Sequence, residues 1–181
     1  MAAGSSSRLG QDKQLLLFEG TSLIRHTEQL LQPVVKHIYA VLGHNHKTIE
    51  NEITAATCLI NSDWQQGMGS SLSFGVKTAA PTADAILVAL CDQPKIPPRH
   101  YTKLIRAAAQ NPERIIATGY AGINGVPALF PKHFFADLIQ LEGDQGAQHL
   151  IKENHHQVIS VGCEAAAFDV DKDNQLTELE T

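Results

Sequence analysis

The sequence predicts an α/β fold, a mostly parallel sheet layered between helices, on three observations. Short apolar runs bounded by turns alternate with longer amphipathic stretches, the pattern of strand–helix–strand crossovers. One run, AILVAL at residues 85–90, is apolar at consecutive positions, as a strand covered on both faces must be. A Gly- and Ser-rich loop, AAGSSSRLGQDK at residues 2–13, leads directly into ordered structure.

Taken in order, the loop is followed by QLLLF, a turn at Glu19 and Gly20, and Thr21 as the N-cap of a helix over 22–32. HIYAVL predicts a strand over 37–42, HKTIENEITA a helix over 46–55, and TCLI a strand over 57–60. SSLSFGVKT, opening on two serines, predicts a helix over 70–78 ahead of the central strand 85–90. RHYTKLIRAAAQ predicts a helix over 99–110; strands follow at 115–118 and 128–130. KHFFADLIQL and AQHLIKE predict helices over 132–141 and 147–153, with a last strand at 158–161. No repeat or long linker divides the 181 residues, so one domain is expected.

Bulk composition narrows the function. With 43% apolar residues the chain has ample material for a core, and a net charge of −5 offers no general nucleic-acid surface. No apolar run reaches the roughly 18 residues of a membrane helix and no secretion signal is visible, so a cytoplasmic location without membrane partners is expected. The 3 cysteines, Cys58, Cys91 and Cys163, are widely spaced and read as reduced thiols. The close histidine pairs, His44 with His46 and His155 with His156, lack carboxylate or thiol partners at zinc spacing.

The chemistry concentrates in the first loop. Gly4 and Gly10 allow the intervening amides to turn inward around an anion, Ser5, Ser6 and Ser7 add hydroxyl donors, and Arg8 and Lys13 bring positive charge. A Gly-Ser-rich stretch also suits a flexible linker, but the packed segments that follow argue against one. Gln11 follows Gly10 where a Walker A motif would carry Lys-Ser or Lys-Thr, which disfavours a P-loop kinase or ATPase. Asp92, directly after the central strand, stands where ligands of parallel sheets collect, and it is a hard oxygen ligand for a divalent cation held by a polyphosphate. The alternative for Asp92 is a turn or cap before Pro94. Gly67, Gly69, Ser70 and Ser71 lie at a helix start, which suits phosphate binding and ordinary capping equally.

Together with NSDWQQGMGSSLSFGV, LVALCDQP, GVPALFPKHFF and LEGDQGA, the first loop resembles the molybdenum cofactor cytidylyltransferases and the wider molybdopterin nucleotidyltransferase group. The resemblance spans nearly the whole chain. It implies a three-layer α/β/α Rossmann-like fold similar to that of nucleotide-diphosphosugar transferases, and Mg²⁺-dependent transfer of CMP from CTP to the terminal phosphate of molybdopterin. By motif position it implies that Ala2, Ala3, Gly4, Ser5, Arg8, Lys13, Gly67, Ser70 and Ser71 bind the nucleotide. Arg8, Lys13 and Asp92 would be catalytic, and Asp92 with Asp144 would hold the metal. The acceptor would meet the later loops through Asn124, Gly125, Pro127 and Asp144; GDQG is otherwise a plain turn and Pro127 a shaper of the strand entry.

Ala2-Ala3-Gly4 favours CTP over GTP by resemblance, although a single methyl discriminates by only about 1–3 kcal/mol. A GTP-using or different-acceptor enzyme, and a non-catalytic cofactor-handling protein, are the alternatives; a molybdoenzyme or its insertion chaperone is the implied protein partner. Some relatives are called oxidoreductases, but no GxGxxG fingerprint with a trailing acid occurs. Two departures are visible. An apolar first strand is expected before the loop, yet only Met1 precedes Ala2. In FDVDKDNQL, Asp169 and Asp171 match the group's closing segment while Lys172, Asp173 and Asn174 do not.

Overall fold

The structure is a computed structural model that describes residues 1–6 and 10–170. After the loop and a 3₁₀ turn at Lys13–Leu15, a small hairpin pairs β1 (Leu17–Phe18) with β2 (Thr21–Ser22). Glu19 and Gly20 at its tip both have positive φ, the geometry that matches a two-residue turn to the twist of its strands. The chain enters α1 (Leu23–Leu31) directly from this hairpin, so the N-cap is Ser22 and not Thr21. The Ser22 hydroxyl donates to Glu52 Oε2 at 2.8 Å instead of capping an amide.

β3 (Tyr39–Leu42) and β4 (Thr57–Ile60) pair in parallel, joined through α2 (His46–Ile49) and a 3₁₀ turn at Glu50–Glu52. The helix expected over 46–55 is therefore cut short. Its continuation is diverted because the amides of Thr54, Ala55 and Ala56 turn to the carboxylate of Glu28 on α1. α3 (Met68–Ala79) leads to β5 (Ala85–Val88), and α4 (Pro98–Gln110), with Pro98 in its first turn, leads to β6 (Ile115–Tyr120). β7 (Ile123–Pro131) returns antiparallel through a turn at Ala121 and Gly122, again both at positive φ. A 3₁₀ turn and the short α5 (Phe135–Ile139) replace the single helix expected over 132–141, followed by α6 (Ala147–Glu153) and β8 (Val158–Gly162).

The larger sheet runs β5-β7-β6-β8. β6 and β8 are parallel, but β7 opposes both of its neighbours, so the sheet is mixed. Alternation along the strands separates the layers. Ile115, Ala117, Ala128 and Phe130 face a core shared with α3, α5 and α6, whereas Ile116 and Leu129 face Leu104 of α4. Ala2 makes one parallel bridge to Leu42, its amide donating to Val41 O at 3.0 Å, and the Met1 amine donates to Ala89 O at 2.9 Å. The first residues thus lie between β3 and β5 at the carboxyl ends of those strands. Below them, Ala40, Val41, Ile86, Leu87, Leu72 and Val76 border an apolar channel of about 410 Å³. For this reason Ile86 and Leu87 are only half-buried, although the run 85–90 reads as fully covered.

The register of β6 on β7 shifts between Ala117 and Thr118, leaving Val126 and Pro127 as a bulge. A buried polar chain holds this irregularity. The Thr118 hydroxyl donates to Pro127 O at 2.6 Å, so the His100 ring 2.9 Å away donates Nε2–H to the same hydroxyl. Burial, with a smaller contribution from Lys103, lowers the His100 pKa from 6.5 and keeps the ring neutral. Because the folded pKa lies below the unfolded one, the associated stability is full above 6.5 and is lost as pH falls through the folded value. The unfolding midpoint is expected to drop between about pH 7 and pH 5, and His100→Gln to show a smaller drop in a thermal-melt series.

Candidate active site

The loop over 2–13 is folded back on the end of β3 and fixed from inside. Gln14 is fully buried, and its Nε2 donates to both Ala2 O and Gly4 O at 2.9 Å. The His44 amide takes Ala3 O at 3.1 Å, and the Lys13 amide donates to Ser6 Oγ at 3.2 Å. Ser6 and Gly10 both adopt positive φ. Asp12 accepts from Asn45 Nδ2 at 2.5 Å, tying the loop to the connection after β3. Ala2 and Ala3 are buried, Gly4 is exposed and Ser5 is half-buried. Ser7 and Arg8 lie outside the described residues.

Lys13 and Asp92 come together across 79 positions of sequence, with Nζ donating to Oδ2 at 2.5 Å. Asp92 is buried, and its Oδ1 has no hydrogen-bond partner. A buried carboxylate oxygen left unpaired costs about 1–3 kcal/mol or more, so this atom fits a cation ligand. Among the described residues no three His, Cys, Asp or Glu side chains form a metal cage. Beside Asp92, burial chiefly and the neighbouring carboxylate next push the Cys91 thiol up to about 11, so it stays a protonated core group.

Gly67, Gly69, Ser70 and Ser71 open α3. Gly67 needs its positive φ, and a Cβ there would run into Gly143 O. A Cβ on Gly69 would lie 2.7 Å from the Glu142 nitrogen, where the Gly69 amide donates to Gly143 O at 2.8 Å. Gly69→Ala is therefore expected to cost about 1–3 kcal/mol in denaturant unfolding, since backbone must move to admit the methyl. The two serines also serve the turn: Asn61 Nδ2 donates to Ser70 Oγ at 3.1 Å and Ser71 Oγ at 3.0 Å, and Ser70 Oγ donates to Asp63 O.

The acceptor candidates divide. Asn124, Gly125 and Pro127 lie inside β7 and not on a loop, because the tight turn at Ala121 and Gly122 carries pairing as far as Ile123. Gly125 is backed by the Tyr120 ring, whose hydroxyl would meet any Cβ placed there. Asp144 is exposed and borders a second cavity, about 260 Å³, with Gln93, Tyr120 and Asp169 among its polar walls and Met68, Leu72, Val88 and Val126 among its apolar ones. Gln93 is held by donation from Nε2 to Ala166 O at 2.9 Å. Asp171 and the residues after it lie outside the described residues.

Residues 1–158 match the MobA-like NTP transferase domain. The chain belongs to that family. Its nucleotidyltransferase relatives include a molybdenum cofactor guanylyltransferase of Pseudomonas aeruginosa strain UCBPP-PA14, 24% identical across 83% of this chain and 77% of that one. A protein named nicotine blue oxidoreductase from Paenarthrobacter nicotinovorans is 30% identical across 99% of this chain and 93% of its own. The solved structure of Rv0371c from Mycobacterium tuberculosis H37Rv in complex with manganese superposes with a TM-score of 0.79 at 23% identity, covering 98% of this chain and 93% of that one. The MobA-like fold is thus the one seen here. Within this MobA-like chain two residues stand out only in the structure: Gln14, a polar residue opening an apolar run, and Gln93, which lies within LVALCDQP directly after Asp92. No helix of the described residues is long and apolar enough to cross a membrane.

Proposed function

We propose that this MobA-like chain works as one domain that moves CMP from CTP to the terminal phosphate of molybdopterin or the molybdenum cofactor, releasing pyrophosphate. The observation that carries the reading is the meeting of Lys13, at the end of the first loop, with Asp92, whose second oxygen is buried and unpartnered. An acceptor phosphate oxygen forms a bond to the α-phosphorus while the bond to the β-phosphate oxygen breaks, and pyrophosphate leaves with that electron pair. The acceptor is already anionic, so no general base is required. What the protein supplies is alignment and positive charge.

In this reading Lys13 and Arg8 neutralise the triphosphate, Ala2 to Ser5 line it, and Gly67, Ser70 and Ser71 contact it from the start of α3. Asp92 would hold a divalent ion, with Mg²⁺ favoured and Mn²⁺ supported by the manganese complex of Rv0371c; when bound, such an ion would supply positive charge that screens the phosphates. The cavity bordered by Asp144 and Val126 takes the acceptor, with Asn124, Gly125 and Pro127 of β7 as further candidate contacts. CTP is the preferred base on the Ala2-Ala3-Gly4 resemblance, a methyl at Ala3 leaving less room beside the base than a glycine would.

A second reading follows from the relative named nicotine blue oxidoreductase: oxidation or reduction of a small organic substrate at the same cavity. One experiment separates them. Incubation with molybdopterin, Mg²⁺ or Mn²⁺, and labelled CTP or GTP, followed by identification of the dinucleotide, is expected to yield the cytidine product and pyrophosphate. A guanosine product replaces the base assignment. Absence of both, with reduced nicotinamide oxidised in a parallel assay, sinks transfer in favour of the second reading.

A further inference from the structure

Three successive carbonyls of the first loop are bound on their protein side. Gln14 Nε2 takes Ala2 O and Gly4 O, each at 2.9 Å, and the His44 amide takes Ala3 O. The peptides concerned are trans, and in a trans peptide the carbonyl and the following N–H point in opposite directions. With the carbonyls of Ala2 and Gly4 drawn to Gln14, the amides of Ala3 and Ser5 face away from it on one side. Such paired amides form an anion-binding concavity.

The cost of this arrangement identifies its purpose. Gln14 is fully buried and its Oε1 has no hydrogen-bond partner. An apolar side chain of similar size would fill the same buried space without an unpaired Oε1, but would leave the Ala2 and Gly4 carbonyls without the Nε2 donors. What the amide brings is its two donors, and both act on the phosphate loop.

We infer that Gln14 is a positioning residue for triphosphate binding: it touches no substrate and orients the Ala3 and Ser5 amides toward the phosphates. The inference rests on the nucleotide-binding reading of the loop. It is tested on the full chain with Gln14→Met, which keeps the volume and removes the donors, and Gln14→Glu, which turns a carboxylate on the two carbonyls. Calorimetric binding of CTP or GTP with Mg²⁺ is expected to weaken about tenfold in Gln14→Met and further in Gln14→Glu, with the acceptor KM moving less than about twofold.

An unchanged nucleotide Kd in folded Gln14→Met overturns the inference, as does an equal rise in both substrates' constants. Should neither variant fold, the wild type decides by NMR with inorganic pyrophosphate. The Ala3 and Ser5 amide resonances are expected to move in step with pyrophosphate, and the Gln14 side-chain amide hydrogens to exchange slowly; stationary Ala3 and Ser5 signals overturn it. Wild type that binds neither nucleotide overturns the inference together with the reading beneath it. If wild type binds nucleotide but forms no dinucleotide, transfer alone fails, and the Kd comparison still decides Gln14.

Discussion

Asp92→Asn is expected to lower nucleotidyl transfer by about a thousandfold while leaving a folded protein, measured as pyrophosphate release at saturating nucleotide. The amide keeps the size of the carboxylate but loses its charge, so the contact with Lys13 and the proposed cation ligation fail at once. Lys13 loses the charge partner 2.5 Å from its Nζ, and the buried Oδ1, the proposed cation ligand, becomes a neutral atom. Lys13→Met separates these roles, since it removes the ammonium and leaves the carboxylate. In Asp92→Asn the divalent-ion concentration for half-maximal rate should rise steeply; in Lys13→Met it should stay nearly constant while the nucleotide KM climbs. Wild-type turnover by Asp92→Asn, with the same metal dependence, would remove Asp92 from the mechanism.

Glu28→Ala should be the most damaging single change to stability, about 3 kcal/mol, or roughly 10 °C in the unfolding midpoint of a chain this long. The side chain is buried in α1 and collects the amides of Thr54, Ala55 and Ala56 and the Thr54 hydroxyl at distances from 2.6 to 3.2 Å. Truncation strands three amides just before β4 and frees the strand that borders β3. Burial by itself would raise the Glu28 carboxyl, but the hydrogen bonds from Thr54, Ala55 and Ala56 together carry it below its usual 4.5. Its contribution is therefore present above 4.5 and lost as pH falls through the lowered value. Calorimetry in acid should show the wild type converging on Glu28→Ala; parallel curves would mean that the carboxylate is not what holds the segment.

Sequence periodicity reveals most strands and helices because each follows from local spacing: TCLI as β4 and AQHLIKE as α6 end where their apolar pattern ends. Pairing direction is less accessible. β7 runs antiparallel because Ala121 and Gly122 form a two-residue turn, and an alanine at positive φ gives no warning of one. Glu28 did carry a signal, a charged residue on the helix stripe shared with Ile24 and Leu31, but its partners lie 26 to 28 positions away and share no motif with it. From residue chemistry alone the first loop reads as a candidate anion site and Asp92 as a candidate cation ligand. That Lys13 reaches Asp92, and that Gln14 sets the loop, depends on the strand order that brings residues 2–14 beside the end of β5.

The contact between the start of α3 and the loop carrying Asp144 has a thermodynamic corollary. The Gly69 amide is bonded to Gly143 O, and the two glycine-bearing segments approach too closely to admit a side chain at Gly67 or Gly69. Neither segment can shift without the other. If nucleotide settles on one and acceptor on the other, the factor by which the first ligand changes the affinity of the second must equal the factor in reverse. Such a joint would link the two proposed half-sites, and measuring either binding constant with and without the other ligand would then give the same coupling free energy.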